Sequence, residues 1–225
     1  MSKGNAVITI DGPAGTGKTT MARLLARELG MRYLNTGAMY RAFALHAIRA
    51  GIDSKAERLK ELLDDFSLRI QDNKDTQRVI LKGEDVTHLI SDPSVERLAS
   101  ELSRLKEVRE LITLLQRKEA EKGDLVAEGR DMGSVVFPHA QVKFFLTASP
   151  EVRAQRRWNE RIERGESITY EEVLNELLAR DEQDTKREIA PLKPALGAIV
   201  VDTTHLGIEE VLEILLIHSK KVRTL

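Results

Sequence analysis

Short apolar runs and longer stripes at helical spacing alternate along most of the chain. Val7-Ile8-Thr9-Ile10 reads as a strand that runs into a glycine-rich stretch. Met21, Leu24, Leu25 and Leu29 then recur at helical spacing, and Gly30 is placed to stop that helix. Arg32-Tyr33-Leu34 predicts a second short strand, followed by Asn35-Thr36-Gly37 and a helix from Ala38 to Ala50. Further strands are predicted at Leu125–Glu128, Val142–Leu146 and Ala198–Val201. Pro150 opens a charged helical region, broken between Gly165 and Thr169 and resumed from Tyr170 to about Glu188, and Ile208–His218 closes the chain as a helix. Strands alternating with helices predict an α/β fold built on a parallel sheet.

The pattern changes between Leu59 and Leu89. Ser67–Ile70 and Gln77–Leu81 read as strands joined by the polar turn Asp72-Asn73-Lys74-Asp75, and Gly83-Glu84 marks a second turn before Asp85-Val86-Thr87. This predicts a small antiparallel insertion between core elements. Its flank, Ser94 to Gln116, repeats Leu98, Leu102, Leu105, Val108 and Leu111 or Ile112 and predicts one helix with a buried stripe.

Composition narrows the function classes. Among 225 residues, 41% are hydrophobic and 32% charged, with a net charge of -1. Such balance gives no broad basic surface for nucleic acid, so any anion site must be a local cluster of arginines. The absence of cysteine removes disulfides, thiolate metal sites and thiol nucleophiles. The segment MSKGNAVITIDG enters a predicted strand with no charged-then-apolar leader, and no apolar run reaches the roughly 20 residues of a membrane span. A soluble cytoplasmic protein, bound to neither membrane nor nucleic acid, is the expectation.

Gly12-Pro13-Ala14-Gly15-Thr16-Gly17-Lys18-Thr19 fits G-x-x-x-x-G-K-[ST] at every position. Glycines allow consecutive backbone N–H groups to turn inward around phosphate oxygens, where a Cβ would obstruct. The helix that follows adds the positive end of its dipole. Lys18 is placed to reach the β- and γ-phosphates of ATP, and the Thr19 hydroxyl to ligate Mg²⁺ carried by the nucleotide. The motif follows a predicted strand and opens a predicted helix, the context it requires. Asp11, just before the loop, either acts through the water shell of the metal or caps nearby N–H groups.

Signalling GTPases need a base-reading N-K-x-D that this chain lacks, and motors need more residues. Small-molecule kinases remain, in which arginine-bearing segments close over the transferred group. Arg41 lies on the helix after Asn35-Thr36-Gly37, and Arg130 follows a strand end, where ligands of open α/β sheets gather. Arg153, Arg157, Arg161 and Arg164 form one helical stripe, while Arg180, Asp184 and Arg187 share another face. On spacing alone both stripes also fit solvated faces with surface ion pairs.

The segments ITIDGPAGTGKTT, LNTGAMYR, VILKGEDVT, EGRDMGSVVFP, RDEQDTKR and APLKPA, in this order, resemble the bacterial cytidylate kinases, a family of P-loop nucleoside monophosphate kinases acting on CMP and dCMP. The resemblance extends along nearly the whole chain and includes the insertion. It implies a P-loop NTPase fold: a parallel β-sheet flanked by helices, with a small antiparallel insertion and a helical lid. It further implies one domain over 1–225, with core segments 1–38, 117–150 and 189–225, a nucleotide-acceptor region at 39–116 and a lid at 151–188.

For the site, the resemblance implies that ATP meets Asp11, Gly12, Pro13, Ala14, Gly15, Thr16, Gly17, Lys18 and Thr19, with Arg153 and Arg157 on the lid. Arg41 and Arg130 would hold the acceptor's phosphate. Ser100, Arg109, Asp131 and Arg187 would surround the cytosine, and Arg180 and Asp184 would meet the sugar. Lys18, Arg41, Arg130 and Arg157 would stabilise the transferred group. Thr36 departs from the serine frequent in the family's S-G-A-x-Y-R segment, and its extra methyl bears on the preference between ribose and deoxyribose. Without the resemblance, Ser100 and Arg109 read as parts of a packed helix and Asp131 as a partner of Arg130. Kinases of UMP, AMP or a metabolite such as shikimate are the nearest rival reading, and an ATP sensor without transfer is a rival from another class. A monomer is expected, since closure needs free peripheral segments.

Overall fold

The computed structural model describes residues 4–51, 58–73 and 76–220. Lys74 and Asp75 of the predicted polar turn lie outside the described residues, as does the start of the N-terminal segment. Eight strands are described: β1 (Val7–Asp11), β2 (Arg32–Asn35), β3 (Leu68–Asn73), β4 (Thr76–Leu81), β5 (Glu84–Asp85), β6 (Leu125–Gly129), β7 (Val142–Thr147) and β8 (Ile199–Asp202). The helices are α1 (Lys18–Leu29), α2 (Thr36–Arg49), α3 (Leu59–Asp64), α4 (Pro93–Leu102), α5 (Lys106–Ala120), α6 (Pro150–Glu163), α7 (Tyr170–Lys186) and α8 (Ile208–Ser219). The larger, parallel sheet runs β2-β6-β1-β7-β8, and a second sheet runs β3-β4-β5. β1 and β6 are buried at every residue, as strands covered on both faces must be, and both are accordingly apolar runs.

The chain divides into two compact units. One comprises Ala6–Gly30 and Val126–Leu225. In it β1 pairs in parallel with β7, Ile10 opposite Phe144, and β7 with β8, Phe145 opposite Val200. Helices α1 and α8 pack together, and α6 and α7 form a hairpin. The hairpin is tied by Trp158 Nε1 donating to Ile168 O at 3.0 Å and by Arg161 reaching Glu166 and Glu176, each at 2.6 Å. The break between the two helices falls where Gly165 and Thr169 place it, and Thr169 caps α7 reciprocally with Glu172.

The other unit comprises Met1–Asn5 and Met31–Leu125. Its antiparallel sheet has Ile70 opposite Val79 and Ile80 opposite Asp85. Phe43, Ala42 and Ala47 of α2 are fully buried, and α2 packs on α4 and on β4. Two expectations need correction here. The helix predicted over 94–116 is two helices, because the chain turns at Ser103-Arg104-Leu105, where Leu105 N–H donates back to Leu102 O. The buried face is carried by Val95, Ala99, Leu102, Val108 and Ile112, whereas the expected Leu98 and Leu105 are only half-buried. The short helix α3 was not expected, since six residues are too few to show a period.

Candidate active site

β1 ends in the glycine loop as its sequence requires. Gly12, at φ 145°, passes so close to β7 that a Cβ there would lie 2.1 Å from Leu146 O. Gly17, at φ 85°, is the N-cap of α1. We expect Gly12→Ala to destabilise by about 3 kcal/mol or more and to abolish turnover, since both clash and backbone strain apply. Gly17→Ala meets no atom within 4 Å and pays only for its left-handed backbone, about 1 kcal/mol. Thermal melts of the two variants would check this order; equal losses would contradict it.

Lys18 is buried, with Nζ donating to Pro13 O at 2.5 Å and lying 3.4 Å from Thr16 Oγ1. Burial depresses its pKa well below that of an ordinary lysine, and the guanidinium groups of Arg130 and Arg180 depress it further. A buried ammonium beside two further cations is a site arranged for a polyanion.

Asp11 accepts from Met132 N–H at its Oδ1 and from Gly133 N–H at its Oδ2, both at 2.8 Å. Of its two sequence-level roles, capping is the one this geometry displays. Burial pushes its pKa up to about 7 against the pull of those two N–H groups. The N–H groups belong to a π-turn, Met132–Val136, which the sequence reading did not anticipate.

Thr19 Oγ1 donates to Glu128 Oε1 at 2.7 Å. Glu128, buried at the end of β6, was not among the expected site residues. The signal was present: it is the one charged side chain in the apolar run Leu125–Gly129. Hydroxyl and carboxylate oxygens at the first turn of α1 suit a hard divalent cation, so this pair fits Mg²⁺.

The same unit gathers Arg130, Asp131, Arg180, Asp184 and Arg187. Arg130 Nε donates to Asp184 Oδ2 at 3.0 Å, and Arg187 Nη1 lies 3.6 Å from Asp184 Oδ1. Burial raises the Asp184 pKa, but Arg130, Arg180 and Arg187 outweigh it and hold the carboxyl below its ordinary value. Arg187 Nε also donates to Ala190 O, and Leu192 N–H to Asp184 O, fastening the segment after α7. Asp131 is buried at the start of the π-turn. On α6, Arg157 pairs with Glu160 at 3.2 Å on the surface, whereas Arg153 is buried and turned toward the loop.

In the other unit Thr36 is the buried first residue of α2, whose cap Asn35 accepts from Ala38 N–H at 3.0 Å. Arg41 lies one turn on, with Nη1 beside Gly37. Arg109 is buried on α5, donates to Ser103 O at 3.1 Å and lies over the Tyr40 ring at 5.9 Å. Ser100 is half-buried on α4, and its carbonyl accepts from Ser103 Oγ.

A parallel sheet whose β1 runs through a glycine nest into α1, with a buried lysine and clustered guanidinium groups, defines a P-loop nucleotide-binding protein. The family model described as cytidylate kinase matches residues 8–221, and the chain belongs to that family. It is 50% identical to the cytidylate kinase of Carboxydothermus hydrogenoformans, over 93% of this chain and 95% of that one. It is 46% identical to the cytidylate kinase of Thermotoga maritima, over 92% and 93%. Among solved structures, an uncharacterized protein from Eubacterium ventriosum superposes with a TM-score of 0.53 at 13% identity, covering 96% of this chain and 99% of that one, and so shares its fold. Among the described residues no helix is long and apolar enough to cross a membrane.

Proposed function

We infer that this chain transfers the γ-phosphoryl group of ATP to CMP and dCMP, giving ADP with CDP or dCDP. The observation that carries the reading is the buried Lys18 in a glycine nest, under the cationic field of Arg130 and Arg180, in a chain of the cytidylate kinase family.

An oxygen of the acceptor's phosphate attacks the γ-phosphorus in line; a new P–O bond forms as the bond to the β,γ-bridging oxygen breaks, and ADP leaves. The acceptor's second pKa is near 6, so at neutral pH its phosphate is mostly dianionic and needs no strong base. The loop amides and Lys18 bind and orient the triphosphate, while Arg130 takes the acceptor phosphate. Thr19 would hold Mg²⁺ with Glu128 beside it; when bound, the ion neutralises charge building on the phosphates. Arg41 is assigned to the acceptor phosphate, Thr36, Arg180 and Asp184 to the sugar, and Ser100, Arg109, Asp131 and Arg187 to the base, as the family resemblance implies. Residues 151–188 act as a lid, with Arg157 over the donor, and exclude water that would otherwise hydrolyse ATP. We assign the protein to the cytoplasm, where its substrates are, as a monomer.

The test is ADP production with CMP, dCMP, UMP and AMP as acceptors. CMP and dCMP should turn over fastest, and preference for another acceptor would move the chain to a rival class of kinase. With Asp131→Ala, CMP should lose about 10-fold or more in kcat/KM relative to UMP, because cytosine presents an amine where uracil presents a carbonyl. An equal loss for both bases would remove Asp131 from base recognition.

A further inference from the structure

A loop that turns its N–H groups inward to a phosphate turns several carbonyls outward, and buried carbonyls need donors. Pro13 O takes Thr16 Oγ1 and Lys18 Nζ from within the loop. Thr16 O lies 3.4 Å from Thr203 Oγ1, and Thr203 is itself gripped by Arg156 at its Oγ1 and its carbonyl. Ala14 O is served differently, by Nη1 of Arg153 at 3.2 Å.

Arg153 is only 4% exposed. Its Nε donates to Ala148 O at 3.0 Å, and the same Nη1 that serves Ala14 also donates to Asp181 Oδ2 at 2.6 Å. The loop lies directly on this part of α6: a Cβ on Gly15 would stand 2.7 Å from Arg153 O and 2.9 Å from Arg153 Cβ. Asp181 is on α7, next to Arg180 and one helical turn before Asp184. Among the described residues its other oxygen, Oδ1, is buried without a hydrogen-bond partner, and Arg153 is the donor to its Oδ2. One guanidinium nitrogen therefore joins the donor's phosphate loop to the helix that carries the proposed acceptor contacts.

We propose that Arg153 and Asp181 are positioning residues that couple donor binding to acceptor binding. When a triphosphate draws the loop amides inward, the Ala14 carbonyl and the Arg153 fork settle together, and through Asp181 they set the register of α7. Arg180 and Asp184 are then aimed at the acceptor only when the donor is in place. Arg153 thus reads as a strut beneath the loop, distinct from a lid arginine that touches ATP. The idea rests on the CMP-phosphorylating reading above.

The experiment measures CMP affinity by calorimetry with and without β,γ-imido-ATP and Mg²⁺, alongside steady-state kcat and KM. Wild type should bind CMP about fivefold or more tightly when the ATP analogue is present. In Asp181→Asn and Arg153→Lys that factor should fall below about twofold, and kcat should drop roughly 10- to 100-fold, while the Kd for CMP alone stays within about threefold of wild type. The double variant Arg153→Met/Asp181→Leu replaces a buried ion pair with apolar side chains but takes the donor from the Ala148 and Ala14 carbonyls, so it should melt below wild type, stay folded and lose the coupling. Its kcat should fall no further than that of the worse single variant, the mark of residues acting as a unit. Coupling retained in the folded Asp181→Asn protein, or no coupling in wild type, would overturn the proposal. Failure of wild type to phosphorylate CMP or dCMP would instead defeat the functional reading, so the two failures are distinguishable.

Discussion

Replacing Lys18 with methionine is expected to lower kcat for CMP phosphorylation by about 10³-fold while leaving the fold intact. The two halves of that expectation have one origin. Lys18 is 5% exposed and its ammonium rests on the loop's own Pro13 carbonyl, close to Arg130 and Arg180. Burial and those like charges disfavour the ammonium in the free site. Methionine keeps the length of the stem and removes the charge, so the melting temperature should hold or rise. Turnover should collapse, because charge that develops on the β,γ-bridging oxygen loses the ammonium proposed to stabilise it. A second readout follows from the depressed pKa. Entry of a polyanion favours the ammonium again, so nucleotide binding should take up protons at pH values between the free and bound pKa, and in Lys18→Met this component should vanish. Calorimetry in buffers of differing ionisation enthalpy measures it. Near-normal turnover in a folded Lys18→Met protein would sink the phosphate-loop assignment.

What the sequence made legible was whatever local spacing encodes. The glycine loop between β1 and α1, the stop at Gly30, and the break between α6 and α7 each depend on neighbours a few residues apart. The missed features depend on distant partners or on geometry without a period. Nothing around Arg153 shows that its guanidinium serves Ala14, 139 residues away, while Arg157 on the same stripe pairs locally with Glu160. Glu128 gains its meaning from Thr19, 109 residues earlier. The stripe through 94–116 kept a helical period across the turn at Ser103, because both α4 and α5 bury their apolar faces, and periodicity is blind to a change of axis. The π-turn at Met132–Val136 is stabilised by the Asp11 carboxylate from β1, so its own five residues carry no signal of it. The phosphate loop is therefore legible in its motif, whereas its supports come from partners far along the chain.

Arg130→Met should be the most damaging change on the acceptor side, with kcat/KM for CMP falling about 10²- to 10⁴-fold and the KM for ATP changing little. Arg130 Nε donates to Asp184 Oδ2 at 3.0 Å, so the substitution removes the proposed grip on the acceptor phosphate and also loosens Asp184. Asp184 keeps the fields of Arg180 and Arg187, which limits the stability loss to about 1–3 kcal/mol. The sign with pH is fixed by the depressed carboxyl. Stability from Asp184 is present above the unfolded value of about 3.9 and is lost as pH falls through the lower folded value. Without Arg130 the folded value rises, so this contribution shrinks and the acid limb of the melting curve should move to higher pH. Adding Asp184→Asn takes the counter-charge from Arg180 and Arg187, so the double variant should melt no higher than Arg130→Met and remain inactive. Arg130→Lys separates charge from shape: a point charge can hold Asp184 but cannot span two phosphate oxygens as a guanidinium fork does. It should therefore restore the melting curve more than it restores kcat/KM. Full recovery of turnover by lysine would show that net charge alone suffices at this position, and the two-pronged grip on the acceptor phosphate would have to be given up.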